Sequence, residues 1–278
     1  MKLRQTSPED RVVIEDLVAG APWSHVHLDW LDPTSLTDRE PFILATEEET
    51  PAGTLGCPPD LPGVAWLRTF AAAEGFEVQE MWEVLWTASV SRLLKLNVCR
   101  VGALVLEDWF ERLILKAGFE RTNSVIFYEL GLEPIAGASH DTPHRLRSIR
   151  SADVEAILEL DHRAFEPIWQ ISRDSLAVAM IQASSASLIE DQGKVLGYQI
   201  TTSSPFGAHL ARLAVQPSHQ RVGLGTALVN DAIESIQETG LGQLSVNTQE
   251  NNTPSRRLYE KLGFQTTGKE FPVFEIQL

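Results

Sequence analysis

The feature that most limits the fold is repetition. Leu3, Arg4 and Asp10 recur as Leu146, Arg147 and Asp153, at an offset of 143 residues. Lys116-Ala117-Gly118-Phe119 recurs as Lys261-Leu262-Gly263-Phe264, at an offset of 145. At the second offset the predicted elements of the two halves fall in register. Phe70 meets Val215, and a helix over 80–95 meets one over 225–238. The chain has 278 residues, enough for two domains of roughly 100–200 residues each. The halves therefore read as a tandem duplication of one α/β unit. The segment 131–145, GLEPIAGASHDTPHR, has two Gly, two Pro and small polar residues, and reads as the linker between them.

Within the first half the patterns predict strands at 2–5, 42–45, 64–70, 101–106 and 123–130, with helices opened by Ser7-Pro8-Glu9-Asp10 and spanning 80–95 and 108–117. Residues 47–62 are acidic, then rich in Gly and Pro, and read as a surface loop. Residues 21–38 give no clear signal. The second half predicts strands at 145–150, 186–191, 194–203, 208–216, 242–248 and 264–277 and helices at 153–164, 173–183, 224–238 and 253–262.

The chemistry concentrates in LAVQPSHQRVGLGT, residues 213–226. Leu213, Ala214 and Val215 read as the end of a buried strand, stopped by Pro217, which has no N–H for a ladder. Gln220, Arg221, Val222, Gly223, Leu224 and Gly225 make a turn that opens a helix at Thr226. The first amides of a helix lack internal partners and sit at its positive end. Two glycines allow close backbone approach, and Arg221 adds a full charge. The product is an anion cradle suited to a pyrophosphate. The glycines also suit a tight strand-to-helix turn with no ligand.

A second motif follows. Residues 252–264, NTPSRRLYEKLGF, together with the Q-R-V-G-L-G loop, resemble the GNAT family of acetyl-CoA-dependent N-acyltransferases. The resemblance covers 145–278. It implies a fold of class α+β (α/β), built here as two tandem GNAT-like domains, each a mixed, mostly antiparallel twisted sheet flanked by helices. The division expected is 1–132, a linker at 133–144, and 145–278.

The resemblance also implies roles. Backbone of Leu213, Ala214 and Val215 would line the pantetheine arm and acetyl carbonyl. Amides from Arg221 through Val222, Gly223, Leu224 and Gly225 to Thr226 would hold the coenzyme A pyrophosphate, with Gln220 in the same loop. Asn252 would hydrogen-bond the pantetheine, and it is also placed to cap the helix before Pro254. Tyr259 would be the general acid for the departing thiolate, or else a half-buried packing residue. A phenol near pKa 10 lies close enough to a thiol near 8.5 to donate as the C–S bond breaks. The strand AHLARLAV resembles that of arylalkylamine acetyltransferases, which place two histidines there. His209 matches the first and Ala211 replaces the second. His209 is therefore the candidate base, with a partnered strand-end histidine, or deprotonation of the amine through water, as the other readings. Ribosomal-protein alanine acetyltransferases use a glutamate where Asn247 stands. Asp161, Phe165, Glu166 and Trp169 fall in the segment that lines the acceptor site in the family, either as amine-holding acids and an apolar floor or as surface and core.

In the first half these features are absent. The loop becomes Gly75-Phe76-Glu77-Val78-Gln79-Glu80, Asn252 becomes Glu107 and Tyr259 becomes Ile114. A degenerate copy that binds no coenzyme A is expected, as in the tandem GNAT architecture of mycothiol synthase.

The expected activity is transfer of acetyl from acetyl-CoA to a primary amine, on a small molecule or a peptide N-terminus, by direct attack in a ternary complex. A non-catalytic acyl-CoA-binding module and a longer-chain acyltransferase are the alternatives. No metal is implied. The net charge is −15, split as −11 over residues 1–145 and −4 over 146–278. This argues against nucleic-acid binding, which needs a basic surface. Cys57 and Cys99 have no metal-like spacing and read as reduced thiols. With no signal peptide and no apolar run of about 18 residues, a cytoplasmic monomer or homodimer is expected, with no membrane partner.

Overall fold

A computed structural model of the chain describes residues 1–133 and 145–278. The elements in chain order are β1 (Lys2–Gln5), α1 (Arg11–Gly20), β2 (Trp23–Val26), β3 (Phe42–Glu47), β4 (Thr50–Gly56), β5 (Val64–Trp66), β6 (Thr69–Ala72), α2 (Val78–Lys95), β7 (Arg100–Leu104), α3 (Asp108–Lys116) and β8 (Glu120–Gly131). They continue as β9 (Arg145–Ser148), α4 (Val154–Ala164), α5 (Arg173–Gln182), β10 (Ala183–Asp191), β11 (Lys194–Ser204), β12 (Gly207–Val215), α6 (Leu224–Glu238), β13 (Gln243–Gln249), α7 (Thr253–Lys261) and β14 (Gln265–Gln277). Among the described residues no helix is long and apolar enough to cross a membrane.

Two compact units emerge, Met1–Asn123 with Phe271–Leu278, and Ser124–Glu270. The first holds an antiparallel sheet in the order β1-β3-β4-β6-β2. Beside it β5 pairs in parallel with β7, which pairs with residues 273–277 of β14. Its core gathers Phe70, Trp82, Leu85, Phe110, Ile114 and Phe274. The second unit orders its strands β9-β10-β11-β12-β13-β8. Its largest core joins Tyr128, Leu210, Val229, Ala232, Leu244, Val246 and Tyr259.

The duplication is visible in the pairing register. In the first unit Val64 faces Arg100 and Ala65 faces Val101. In the second His209 faces Ser245 and Leu210 faces Val246. These are the same pairs shifted by the offset of 145.

The strand ends are exchanged between units. Residues 124–131 of β8 belong to the second unit and residues 271–277 of β14 to the first. The segment 133–144, Glu133 apart, lies outside the described residues. The exchange has a packing basis. On β8, Ile126, Tyr128 and Leu130 alternate on one face and join the core of α6 and α7, as a strand half-covered by helices requires.

One element departs from expectation. Residues 47–62 contain strand β4, paired with both β3 and β6. Its glycines serve packing: a Cβ on Gly53 would meet the Met81 sulfur at 2.5 Å, and one on Gly56 the Phe42 ring at 2.5 Å. The expected strand at 64–70 is also broken, into β5 and β6.

Candidate active site

Strand β12 runs beside β13 only over Ala208–Val246 pairing distance: its residues 208–210 match 244–246 in parallel. Just beyond, Ile200 faces Arg212 while Thr201 faces Leu210, so Ala211 is an unmatched bulge residue. A bulge bends its strand and re-aims the side chains that follow. Here Leu210 packs toward α6, and so do Leu213 and Val215, against Leu224 and Leu228. Arg212 turns the opposite way, toward α4. Residues 212–215 keep β11 on one edge and have no paired strand on the other among the described residues. Residues 247–249 of β13 pair with β8 instead. The two parallel strands thus part, leaving main-chain groups of residues 211–215 open to an extended ligand.

The parted strand leads straight to the loop expected to be an anion cradle. The Gln220 side chain donates back to the Val215 carbonyl at 3.3 Å. Arg221 has φ 65° and Gly223 φ 96°, the left-handed backbone from which anion-binding nests of N–H groups are built. Gly223 caps α6 without any side-chain hydrogen bond, and the first amides of this 15-residue helix stay free of intrahelical partners. Gly225 has a packing role as well, because a Cβ there would lie 3.1 Å from Leu258 on α7. Arg221 is exposed and makes no ion pair among the described residues.

Helix α7 starts at Asn252, whose side chain accepts from the Ser255 amide at 3.3 Å. The capping role of Asn252 is therefore present. Tyr259, on the same helix, is only 4% exposed. Its ring lies 6.2 Å from Tyr128 and 5.7 Å from Phe264. Its hydroxyl has no hydrogen-bond partner among the described residues, and burial pushes its pKa above the ordinary phenol value. The group is held protonated. The Tyr128 hydroxyl accepts from Arg256 Nε at 3.2 Å and donates to Glu260 at 3.5 Å, which ties β8 to α7.

His209 points to the opposite face of β12 from Leu210. Its Nδ1 lies 2.9 Å from Ser245 Oγ. Ser245 donates its one hydroxyl proton to the Ala208 carbonyl at 3.1 Å, so its oxygen accepts from Nδ1–H. This network assigns the tautomer and leaves Nε2 as a bare lone pair. Burial lowers the pKa of the imidazole to about 4, so it is neutral near pH 7. Asn247 is exposed on the same face.

The last turn of α4 and the segment after it correct one expectation. Asp161 is fully buried and accepts from Arg212 at 2.7 Å, Tyr198 at 2.6 Å and the Ile171 amide at 2.9 Å. With its lone pairs already engaged, it is not an amine-holding acid. Arg212 also lies 3.8 Å above the Phe165 ring and donates to the Trp169 carbonyl at 2.8 Å. Phe165 and Trp169 are half-buried and Glu166 exposed. Arg212 and Tyr198 are site-shaping residues that the pattern reading missed. The available signal was an arginine inside the apolar strand LARLAV.

The first unit handles the matching strand differently. There β6 has β4 on one edge and β2 on the other, with Trp23 facing Ala72 and Val26 facing Thr69. The edge that stands open on β12 is closed by the chain itself. Helix α2 is capped by Glu77, with Glu80 in its first turn, placing carboxylates where an anion would bind.

Comparison with known proteins gives a consistent picture. The model of the acetyltransferase (GNAT) family matches residues 154–264. The chain is 29% identical over 119 residues to the [ribosomal protein bS18]-alanine N-acetyltransferase of Escherichia coli (strain K12), covering 43% of this chain and 79% of that protein. It is 27% identical over 177 residues to the mycothiol acetyltransferase of Amycolatopsis mediterranei (strain U-32), covering 55% and 57%. A tandem GNAT protein from the clavulanic acid biosynthesis pathway superposes with a TM-score of 0.67 at 16% identity, covering 99% of this chain and 98% of that one. That likeness shows the tandem fold over the whole length.

Proposed function

We propose, for a chain whose residues 154–264 match the model of the acetyltransferase (GNAT) family, that it transfers acetyl from acetyl-CoA to a primary amine bound in the second unit. The parting of β12 from β13 after Leu210 carries the reading. It opens a strand edge that leads into a helix N-terminus without a side-chain cap, and Tyr259 shares a core with Leu210 and Leu213 of the same strand.

Leu213, Ala214 and Val215 would pair with the pantetheine amides through their open edge. Arg221, Val222, Gly223, Leu224, Gly225 and Thr226 would hold the pyrophosphate, with Gln220 bracing the loop and Asn252 at the mouth of α7. The amine nitrogen attacks the thioester carbonyl directly. Negative charge on the carbonyl oxygen meets main-chain N–H groups near the bulge. The C–S bond breaks as Tyr259 passes its proton to the sulfur. The proton released by the nitrogen goes to His209 Nε2, directly or through water. The closed edge of β6 supports one coenzyme A per chain.

Coenzyme A release, followed with a thiol reagent over an amine and peptide panel, tests the acid role. Tyr259→Phe keeps the ring among Tyr128 and Phe264 and removes only the hydroxyl with its proton. Turnover is expected to fall at least about tenfold, and unchanged turnover would remove Tyr259 from the chemistry.

A further inference from the structure

We infer that residues of β8, from the first half of the sequence, form part of the acceptor face of the second unit, and that Glu129 there selects an amine carrying a second positive charge. The inference rests on the amine-acetylation reading.

Thr202, His209, Ser245 and Glu129 are successive partners across β11, β12, β13 and β8. Residues matched across neighbouring strands share a face, and the His209–Ser245 contact shows this for the middle pair. On β8 the alternation agrees. Ile126, Tyr128 and Leu130 enter the core with α6 and α7, so Phe127 and Glu129 project to the face of His209. Helix α4 packs on β11 and β12, and α5 on β10 and β11. Farther along the same face, Ser245 and Phe127 are half-buried and Asn247 and Glu129 exposed, which leaves this part of the sheet accessible to an acceptor.

Glu129 makes no hydrogen bond or ion pair among the described residues. Its Cα stands two strand spacings from that of His209, about 10 Å. An acceptor with its reacting nitrogen at His209 Nε2 and its chain laid along the row brings a distal cation to this carboxylate. Phe127, two residues along β8 as the partner of Asn247, flanks Glu129 on the same face with apolar surface. The first copy has lost its own anion loop but keeps a role, supplying the strand that reads the acceptor.

The test compares putrescine and cadaverine with butylamine, and alanyl-lysine with alanyl-glutamate, in the full-length chain and its E129Q and E129K variants, by coenzyme A release. Calorimetry with acetyl-CoA checks that each variant retains its fold. The wild type is expected to prefer the dicationic acceptors. The ratio of kcat/KM between putrescine and butylamine should drop about fivefold in E129Q, the size of one partly exposed ion pair. E129K should shift the dipeptide preference toward alanyl-glutamate. Ratios that stay the same in all three proteins overturn the inference and leave acetyl transfer to amines standing. If the protein binds acetyl-CoA but acetylates none of these amines, the acetylation reading fails and the inference falls with it.

Discussion

Replacing His209 with glutamine separates the base assignment from the bland alternative of a partnered strand histidine. In the folded chain burial holds the imidazole pKa at about 4, while an unfolded histidine titrates near about 6.5. A histidine with a depressed folded pKa contributes stability that is complete above the unfolded value and is lost as pH falls toward the folded one, because the unfolded chain binds the extra proton. That difference in pKa corresponds to about 3 kcal/mol in full, and to about 2 kcal/mol by about pH 5. Urea unfolding at about pH 7.5 and about pH 5 should therefore show wild type losing about 2 kcal/mol more than His209→Gln. His25, buried with its pKa lowered to about 3, titrates in both proteins and drops out of the difference. In turnover, kcat/KM of the wild type should show no inflection near pH 6.5 that the variant lacks, because His209 is already neutral there. The variant should lose about a hundredfold in kcat if Nε2 takes the proton. Equal acid sensitivity in the two proteins would refute the burial argument. Undiminished kcat would refute the base.

Two further outcomes are expected. Asp161→Asn leaves Arg212 buried without its carboxylate and should cost about 3–5 kcal/mol in urea unfolding, with KM for the amine rising more than KM for acetyl-CoA because Arg212 anchors the Phe165–Trp169 segment; a loss below about 1 kcal/mol would show the pair to be unimportant. Calorimetric titration with acetyl-CoA should give one site per chain, and two sites would contradict the closed edge of β6.

What was legible in the sequence was local. Gly223 at φ 96° and Asn252 at the start of α7 answer to constraints set within a few residues, so their spacing revealed the turn and the cap. The pairing of β8 with β13 is not local. The alternation of Ile126, Tyr128 and Leu130 states that one face is buried, and says nothing of which unit buries it. Strand β4 was hidden for a related reason. Gly53, Gly56 and Pro51 look like turn residues, yet the glycines are there because Met81 and Phe42 leave no room for a Cβ. Asp161 could be read as a free acid until its three donors, drawn from β11, β12 and the segment after α4, were placed around it.

The asymmetry between the two copies follows from one topological choice. A β12-like strand with an open edge is a liability, since unpaired main-chain groups recruit whatever extended chain is near. On the acetyl-CoA reading the second unit tolerates that edge because its neighbours, the bulge at Ala211 and the helix start at Gly223, would make it useful to a ligand that pairs with main chain and ends in an anion. The first unit has Glu77 and Glu80 at the helix start, so an anionic ligand is disfavoured there. Its own Trp23–Val26 covers the edge instead. Loss of the loop chemistry and closure of the edge are therefore mutually consistent. Restoring glycines at residues 78 and 80 alone would not recreate a second site, because β2 would still occupy the strand edge that the ligand needs.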